Sequence, residues 1–211
     1  SHVPRPLVAP PADPDDLARI AYSGGTTGQP KGIMITHRGM ATSTLIQLTE
    51  WEWPSEIRHL VCAPLSHAGA SVLTAILLKG GSIVVLPGFD PVSFMQAVQA
   101  HRITSVLMVP TMVLALIDHP RFGEFDLSRL EVVFYGASAF PAARLKDAID
   151  RLGSVFFQFY GQSEAPMSVT VMRRADHVGD DPLRLASCGR PTPWVRVALL
   201  DDAMNPVPDG E

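Results

Sequence analysis

The run Tyr22-Ser23-Gly24-Gly25-Thr26-Thr27-Gly28-Gln29-Pro30-Lys31-Gly32 gathers four glycines, three aliphatic hydroxyls and a lysine between two short apolar stretches. Glycine lets a turn adopt positive φ and lets a ligand approach the main chain closely. Successive bare N–H groups form an anion-binding nest, to which Ser23, Thr26 and Thr27 add hydroxyl donors. Lys31 adds a mobile positive charge, in a chain whose 17 basic residues include only Lys31, Lys79 and Lys146 as lysines. Such a loop suits the gripping of a polyphosphate. Its spacing excludes a Walker loop, which needs Gly before the lysine and Ser or Thr after it. Here Pro30 precedes Lys31 and Gly32 follows, and Ile33-Met34-Ile35 predicts a strand where a Walker loop opens a helix. A glycine-rich hairpin loop without a ligand is the plainer alternative.

Three more segments carry chemistry. Gln158-Phe159-Tyr160-Gly161-Gln162-Ser163-Glu164 places an aromatic ring, a glycine, a hydroxyl and a carboxylate together. A ring can stack on a purine, and a carboxylate can hold Mg²⁺ while phosphates complete its shell. Taken alone, the segment also reads as a strand end with an exposed acid. Tyr135-Gly136-Ala137-Ser138 ends a strand with small residues that let a flat ring lie on the backbone, or simply turns into a helix. Pro64-Leu65-Ser66-His67-Ala68-Gly69 puts a histidine in a turn, where a structural role competes with a catalytic one.

The elements that must position these segments alternate in type. Strands are predicted at 17–22, 32–36, 59–63, 82–86, 104–109, 131–135, 154–160 and 194–200. Helices are predicted at 38–49, 70–79, 91–101, 111–118 and 141–151, with Pro91 and Pro141 in first-turn positions. The alternation predicts an α/β layered fold with a largely parallel sheet and flanking helices, whose ligands collect at the carboxyl ends of strands. Asp201–Asn205 reads as a turn and Val207 as the start of a return strand, so the chain is expected to be cut from something longer.

The 211 residues suffice for a buried core, and 46% hydrophobic with 18% charged content describes an ordinary globular protein. A net charge of −4 gives no footprint for nucleic acid or an anionic membrane. Residues 1–16, rich in proline and aspartate, read as an extended linker ahead of a domain at 17–211. Cys62 and Cys188 are the only cysteines; with no signal peptide or membrane-length apolar run, they suggest a reducing cytoplasm.

Taken together, these segments resemble the adenylate-forming superfamily of acyl-CoA synthetases, adenylation domains and luciferases, from about Leu17 to Glu211. Tyr22–Gly32 resembles its phosphate loop, Thr36-His37 the Thr/Ser-His that follows, and Pro64–Gly69 its P-x-x-H-x-x-G. Val109-Pro110-Thr111, Gly136-Ala137-Ser138, Tyr160–Glu164 and Gly189-Arg190-Pro191 are similar to its V-P-T, G-A-x, Y-G-x-T-E and G-R-P segments. The latter part of the family's large domain is a β-rich subdomain, which the C-terminal end is expected to begin. The resemblance implies activation of a carboxylic acid by ATP to acyl-AMP with Mg²⁺, then transfer to CoA. The notable rivals are an acyl-AMP ligase that loads a carrier protein and a nucleotide-binding domain without turnover.

Carried over by position, the resemblance puts Ser23, Gly25, Thr26, Thr27, Gly28 and Lys31 on the β- and γ-phosphates. Tyr160 stacks on adenine opposite Gly136 and Ala137, and Ser163 meets the α-phosphate. Glu164 holds Mg²⁺, and His67 borders the reacting carboxylate. Gly69, Gly136, Gly161, Ala165 and Met167 are implied to wall an acyl tunnel, and small residues at 136 and 161 to leave room for a medium- or long-chain or aryl acid. Gly24 and Ser163 depart from the usual serine and threonine. Relatives also carry a preceding region, a ribose-binding aspartate and a small C-terminal domain with a catalytic lysine. Without these, the 211 residues alone are expected to be inactive.

Overall fold

The computed structural model describes residues 13–23, 31–177 and 181–208. Two units divide the chain, residues 1–42 and 43–211. In the first, β1 (Leu17–Ser23) and β2 (Lys31–Thr36) pair antiparallel from Leu17↔Thr36 to Ser23↔Lys31. The phosphate-loop string therefore joins two strands, as its flanks predict. Of the expected linker, residues 1–12 lie outside the described residues. Residues 13–16 form a turn, closed by Asp16 N–H donating to Asp13 O and by an Asp15–Arg38 ion pair of 2.7 Å. Arg38 lies in α1 (His37–Glu50).

The second unit is built on a seven-stranded sheet. After α1 come β3 (Arg58–Val61), α2 (Leu73–Leu78), β4 (Ser82–Val85), α3 (Pro91–His101), β5 (Ser105–Met108), α4 (Pro110–Ile117) and β6 (Val132–Tyr135). Then follow α5 (Ala142–Leu152), β7 (Phe156–Gln162), β8 (Ala165–Met172), α6 (Pro182–Ala186) and β9 (Arg190–Pro191). Spatial order is β4-β3-β5-β6-β7-β8-β9; the first five strands are parallel, β8 pairs antiparallel with β7, and β9 pairs antiparallel with β8.

Local chemistry sets these boundaries. Asp90 accepts the Ser93 N–H at 2.8 Å and Pro91 fills the first turn, which starts α3 where the proline pattern places it. Every residue of β5 and β6 is buried, as parallel strands covered on both faces require. Alternation sends Val106, Met108, Val133, Tyr135 and Phe156 to one core with α3, α4 and α5. Leu107, Val132, Phe134, Phe157 and Phe159 go to the other face, where Trp51 packs 4.7 Å from Phe134 and 5.1 Å from Phe159 between ring centroids. Each fully buried side chain of this size contributes roughly 1.5–3 kcal/mol.

Two expectations fail, and two strands lie outside them. Residues 194–200 do not form a strand: the segment makes one isolated bridge, Leu200↔Pro206, and Leu199 is 70% exposed. Its alternating apolar residues have no neighbouring strand to pair with among the described residues. The turn at Asp201 is present, held by Asp201 Oδ1 accepting from Ala203 and Asn205 N–H. The strands β8 and β9, absent from the sequence reading, extend the sheet instead. The helix expected at 70–79 begins only at Leu73, after a short 3-10 turn at Ala68–Ala70.

Candidate active site

Four of the chemical segments leave the carboxyl ends of four neighbouring parallel strands. Pro64–Gly69 follows β3, Val109–Thr111 follows β5, Gly136–Ser138 follows β6, and Tyr160–Glu164 closes β7. The chain moves outward in opposite directions from β3, to β4 on one side and β5 on the other. Open α/β sheets bind ligands at the carboxyl ends beside such a reversal.

A cleft of about 380 Å³ opens between the ends of β6 and β7, with Gly136 and Ala137 on one side and Tyr160 and Gly161 on the other. The Tyr160 ring is 39% exposed, and its hydroxyl accepts from Gln162 Nε2 at 3.3 Å. Ala137 has φ 69°, a left-handed conformation that costs an L-residue roughly 1–2 kcal/mol and turns the chain sharply at the cleft wall. The three residues assigned to the adenine slot, Gly136, Ala137 and Tyr160, thus lie around one cavity, together with Gly161.

Ser163 and Glu164 are the two central residues of the β7–β8 hairpin, between the paired Gln162 and Ala165. The register shifts between Tyr160↔Thr170 and Gln162↔Ala165, which bulges Pro166–Ser168 out of β8 and gives Met167 a φ of 58°. Bulges of this kind re-aim neighbouring side chains. Glu164 is exposed and free of hydrogen bonds and ion pairs among the described residues. One accessible carboxylate fits Mg²⁺, which takes few protein ligands and completes its octahedron with phosphates and water. No cluster of three or more His, Cys, Asp or Glu occurs among the described residues to form an all-protein metal cage.

The glycines serve a different purpose from the one expected of them. A Cβ on Gly136 meets Phe159 O at 2.4 Å, and one on Gly161 meets Ala165 O and Met167 N at 2.4 Å each. Gly69 is pressed likewise against Ala63 O at 2.3 Å. The space they free is filled by the chain's own backbone, so these glycines provide no measure of acyl-chain room.

His67 is exposed in the turn after β3, its N–H donating to Pro64 O at 3.1 Å. Among the described residues, no hydrogen bond or ion pair ties it to Tyr160, Ser163 or Glu164. Gly25, Thr26, Thr27 and Gly28 lie outside the described residues. Ser23 and Lys31 face each other in register at the ends of β1 and β2, and Lys31 is exposed.

Sequence reasoning missed several neighbours of the cleft. Tyr135 and Gln158 line its floor, and the Tyr135 hydroxyl bonds buried His177 at 2.9 Å. Cys188 lies on the rim as a free, exposed thiol, while Cys62 is free and buried, its thiol pushed up to about 12 by burial. Gln47 of α1, buried, donates Nε2 to Ser71 O at 3.0 Å and approaches Met167 Sδ at 3.9 Å, which ties the segment after β3 to the bulge. Gln158 lay within a motif and had a signal; His177 and Gln47 had none.

Residues 2–211 match the AMP-binding enzyme family. This chain belongs to that family. As an AMP-binding enzyme domain it is 51% identical, over 99% of its length, to a medium/long-chain-fatty-acid–CoA ligase FadD8 from Mycobacterium tuberculosis, covering 36% of that protein. It is 38% identical to a feruloyl-CoA synthase of Amycolatopsis over 95% of its length and 40% of that protein's. Among solved structures, ATP-bound MatB from Rhodopseudomonas palustris superposes with a TM-score of 0.80 at 26% identity, over 95% of this chain and 39% of that one. The AMP-binding domain described here thus spans well under half the length of these relatives. No helix among the described residues is long and apolar enough to cross a membrane.

Proposed function

We propose that this chain forms part of an acid–thiol ligase that activates a medium- or long-chain fatty acid, or an aryl acid, with ATP and passes the acyl group to CoA. The observation that carries the reading is the cleft whose walls are Gly136-Ala137 and Tyr160-Gly161, at adjacent strand ends and one hairpin turn from Ser163 and Glu164. The fatty-acid and feruloyl ligases among its relatives support the choice of acid. The two free cysteines suit a reducing cytoplasm.

In this reading Tyr160 stacks on the adenine opposite Gly136 and Ala137. Ser163 donates to the α-phosphate, and Ser23, Gly25, Thr26, Thr27, Gly28 and Lys31 hold the β- and γ-phosphates. A carboxylate oxygen of the acid, bordered by His67, attacks the α-phosphorus, and pyrophosphate leaves. The CoA thiolate then attacks the acyl carbon and AMP leaves. Glu164 would hold Mg²⁺, which when bound would supply neutralisation of phosphate charge. The protein's part is mainly positioning and stabilising charge, and each well-aimed donor contributes on the order of 3 kcal/mol to the transition state.

The test is acid-dependent ATP–pyrophosphate exchange by the complete enzyme that contains this chain, over a panel of acetate, dodecanoate and ferulate. Exchange should require dodecanoate or ferulate and fall at least tenfold in Glu164→Ala. A tenfold preference for acetate removes the proposed acid class, and unchanged exchange removes Glu164 from the metal role.

A further inference from the structure

Beneath the cleft runs a hydrogen-bonded chain that the reaction does not use: the Arg173 carbonyl, His177, Tyr135 and Gln158. His177 closes the 3-10 turn Arg174–His177 and is 2% exposed. Its Nδ1 lies 2.8 Å from Arg173 O. A carbonyl only accepts, so Nδ1 carries the hydrogen. Burial holds the imidazole pKa below its ordinary value, against smaller opposing effects of Arg173 O, Asp176 and Glu52. The ring is therefore neutral at pH 7, and Nε2 is a lone-pair acceptor.

Tyr135 is fully buried, and its hydroxyl lies 2.9 Å from that Nε2. Burial pushes the phenol's pKa up, so it keeps its proton. That one hydrogen goes to His177. The Tyr135 oxygen then has only lone pairs left for its other neighbour, the Gln158 amide, whose atom placed as Oε1 lies 3.4 Å away. Two acceptors facing each other repel. The two ends of an amide have the same shape, and which is nitrogen follows from the network. The network assigns Nε2 to the Tyr135 side. The Gln158 side chain makes no other hydrogen bond among the described residues, so its oxygen is left for the cleft it lines.

We propose that His177 is a positioning residue for the choice of nucleobase: through the Tyr135 hydroxyl it holds the Gln158 amide with its oxygen toward the cleft, which favours a 6-aminopurine over a 6-oxopurine. The amino group of adenine donates to such an acceptor, whereas the O6 of guanine faces it lone pair to lone pair. Sites built around a committed hydrogen-bond partner discriminate strongly because the mismatched group is left unpaired. This inference rests on the reading that the cleft holds the purine of ATP.

The experiment compares kcat/KM for ATP and GTP in acid-dependent pyrophosphate exchange by the complete enzyme. His177→Phe keeps an aromatic ring beside Tyr135 but removes the acceptor. The Tyr135 hydrogen then turns to Gln158 Oε1, and the ATP:GTP ratio should fall about tenfold. His177→Gln restores an acceptor and should hold the ratio within about threefold of the unsubstituted enzyme. Tyr135→Phe frees the amide and should also lower the ratio, which keeps the test open if His177→Phe does not fold. Active His177→Phe and Tyr135→Phe enzymes with unchanged ratios overturn the proposal, as does an equal loss in both His177 variants. An unsubstituted enzyme that binds no ATP overturns instead the nucleotide reading beneath it.

Discussion

Substituting Gly136 by alanine separates two uses of a glycine at a cleft wall. The added methyl carbon would lie 2.4 Å from Phe159 O, 2.7 Å from Phe159 Cε2 and 2.9 Å from Phe159 Cδ2. None of these atoms can yield easily. The carbonyl belongs to β7, which pairs with β8 at Phe159↔Val171, and the ring is stacked on Trp51 at 5.1 Å. Overpacking of this kind costs about 1–3 kcal/mol, and backbone on one side with a stacked ring on the other places it at the upper end. For a domain of this size about 3 kcal/mol lowers Tm by roughly 6–12 °C. Gly88, with no atom within 4 Å of its would-be Cβ, is the control. Gly88→Ala should shift Tm by no more than about 2 °C. Thermal unfolding followed by circular dichroism, without ligand, reads both. If Gly136→Ala melts within 2 °C of the parent but binds nucleotide more weakly, the glycine serves the ligand and the backbone-packing argument fails.

Two further perturbations test local claims. Ala137→Gly removes the left-handed penalty at φ 69°, offset in part by the greater freedom of the unfolded chain. It should raise stability by about 0.5–1 kcal/mol, read as a Tm increase of roughly 1–4 °C, and a lower Tm would show that the backbone there is unstrained. Burial lowers the pKa of His59, which bonds Ser105 Oγ at 3.0 Å, to about 3. Between pH 6.5 and 3 the unfolded chain then binds the extra proton, so stability falls as pH drops, by up to about 1.4 kcal/mol per pH unit. Urea unfolding at pH 7 and pH 5 should show about 2 kcal/mol less acid loss in His59→Gln than in the parent, and equal losses would remove His59 as a source.

Much of this arrangement is written locally in the chain. Asp90-Pro91 starts α3 because the carboxylate caps and the proline needs no donor partner. The buried runs of β5 and β6 declare central parallel strands, and small residues after β6 and β7 mark where the cleft opens. What escaped depends on distant neighbours. Residues 194–200 alternate like a strand, yet a strand exists only where another pairs with it. Pro166 and the bulge hid β8, and Arg102 ends α3 in a left-handed conformation that usually announces itself as glycine. Gly136 and Gly161 read as room for the acid, because no local pattern tells that Phe159 and Met167 fill that space. His177 reaches Tyr135 across 42 residues, and its tautomer follows from a carbonyl no pattern points to.

The central claim, that this fold helps a carboxylate attack the α-phosphorus of ATP, is tested most directly by isotope transfer. Dodecanoate labelled with ¹⁸O in its carboxyl group is turned over by the complete enzyme with ATP and CoA, and the products are weighed by mass spectrometry. Attack at the α-phosphorus followed by thiolysis leaves one labelled oxygen in AMP and none in pyrophosphate. ADP as the nucleotide product, or label in inorganic phosphate with unlabelled AMP, would contradict it.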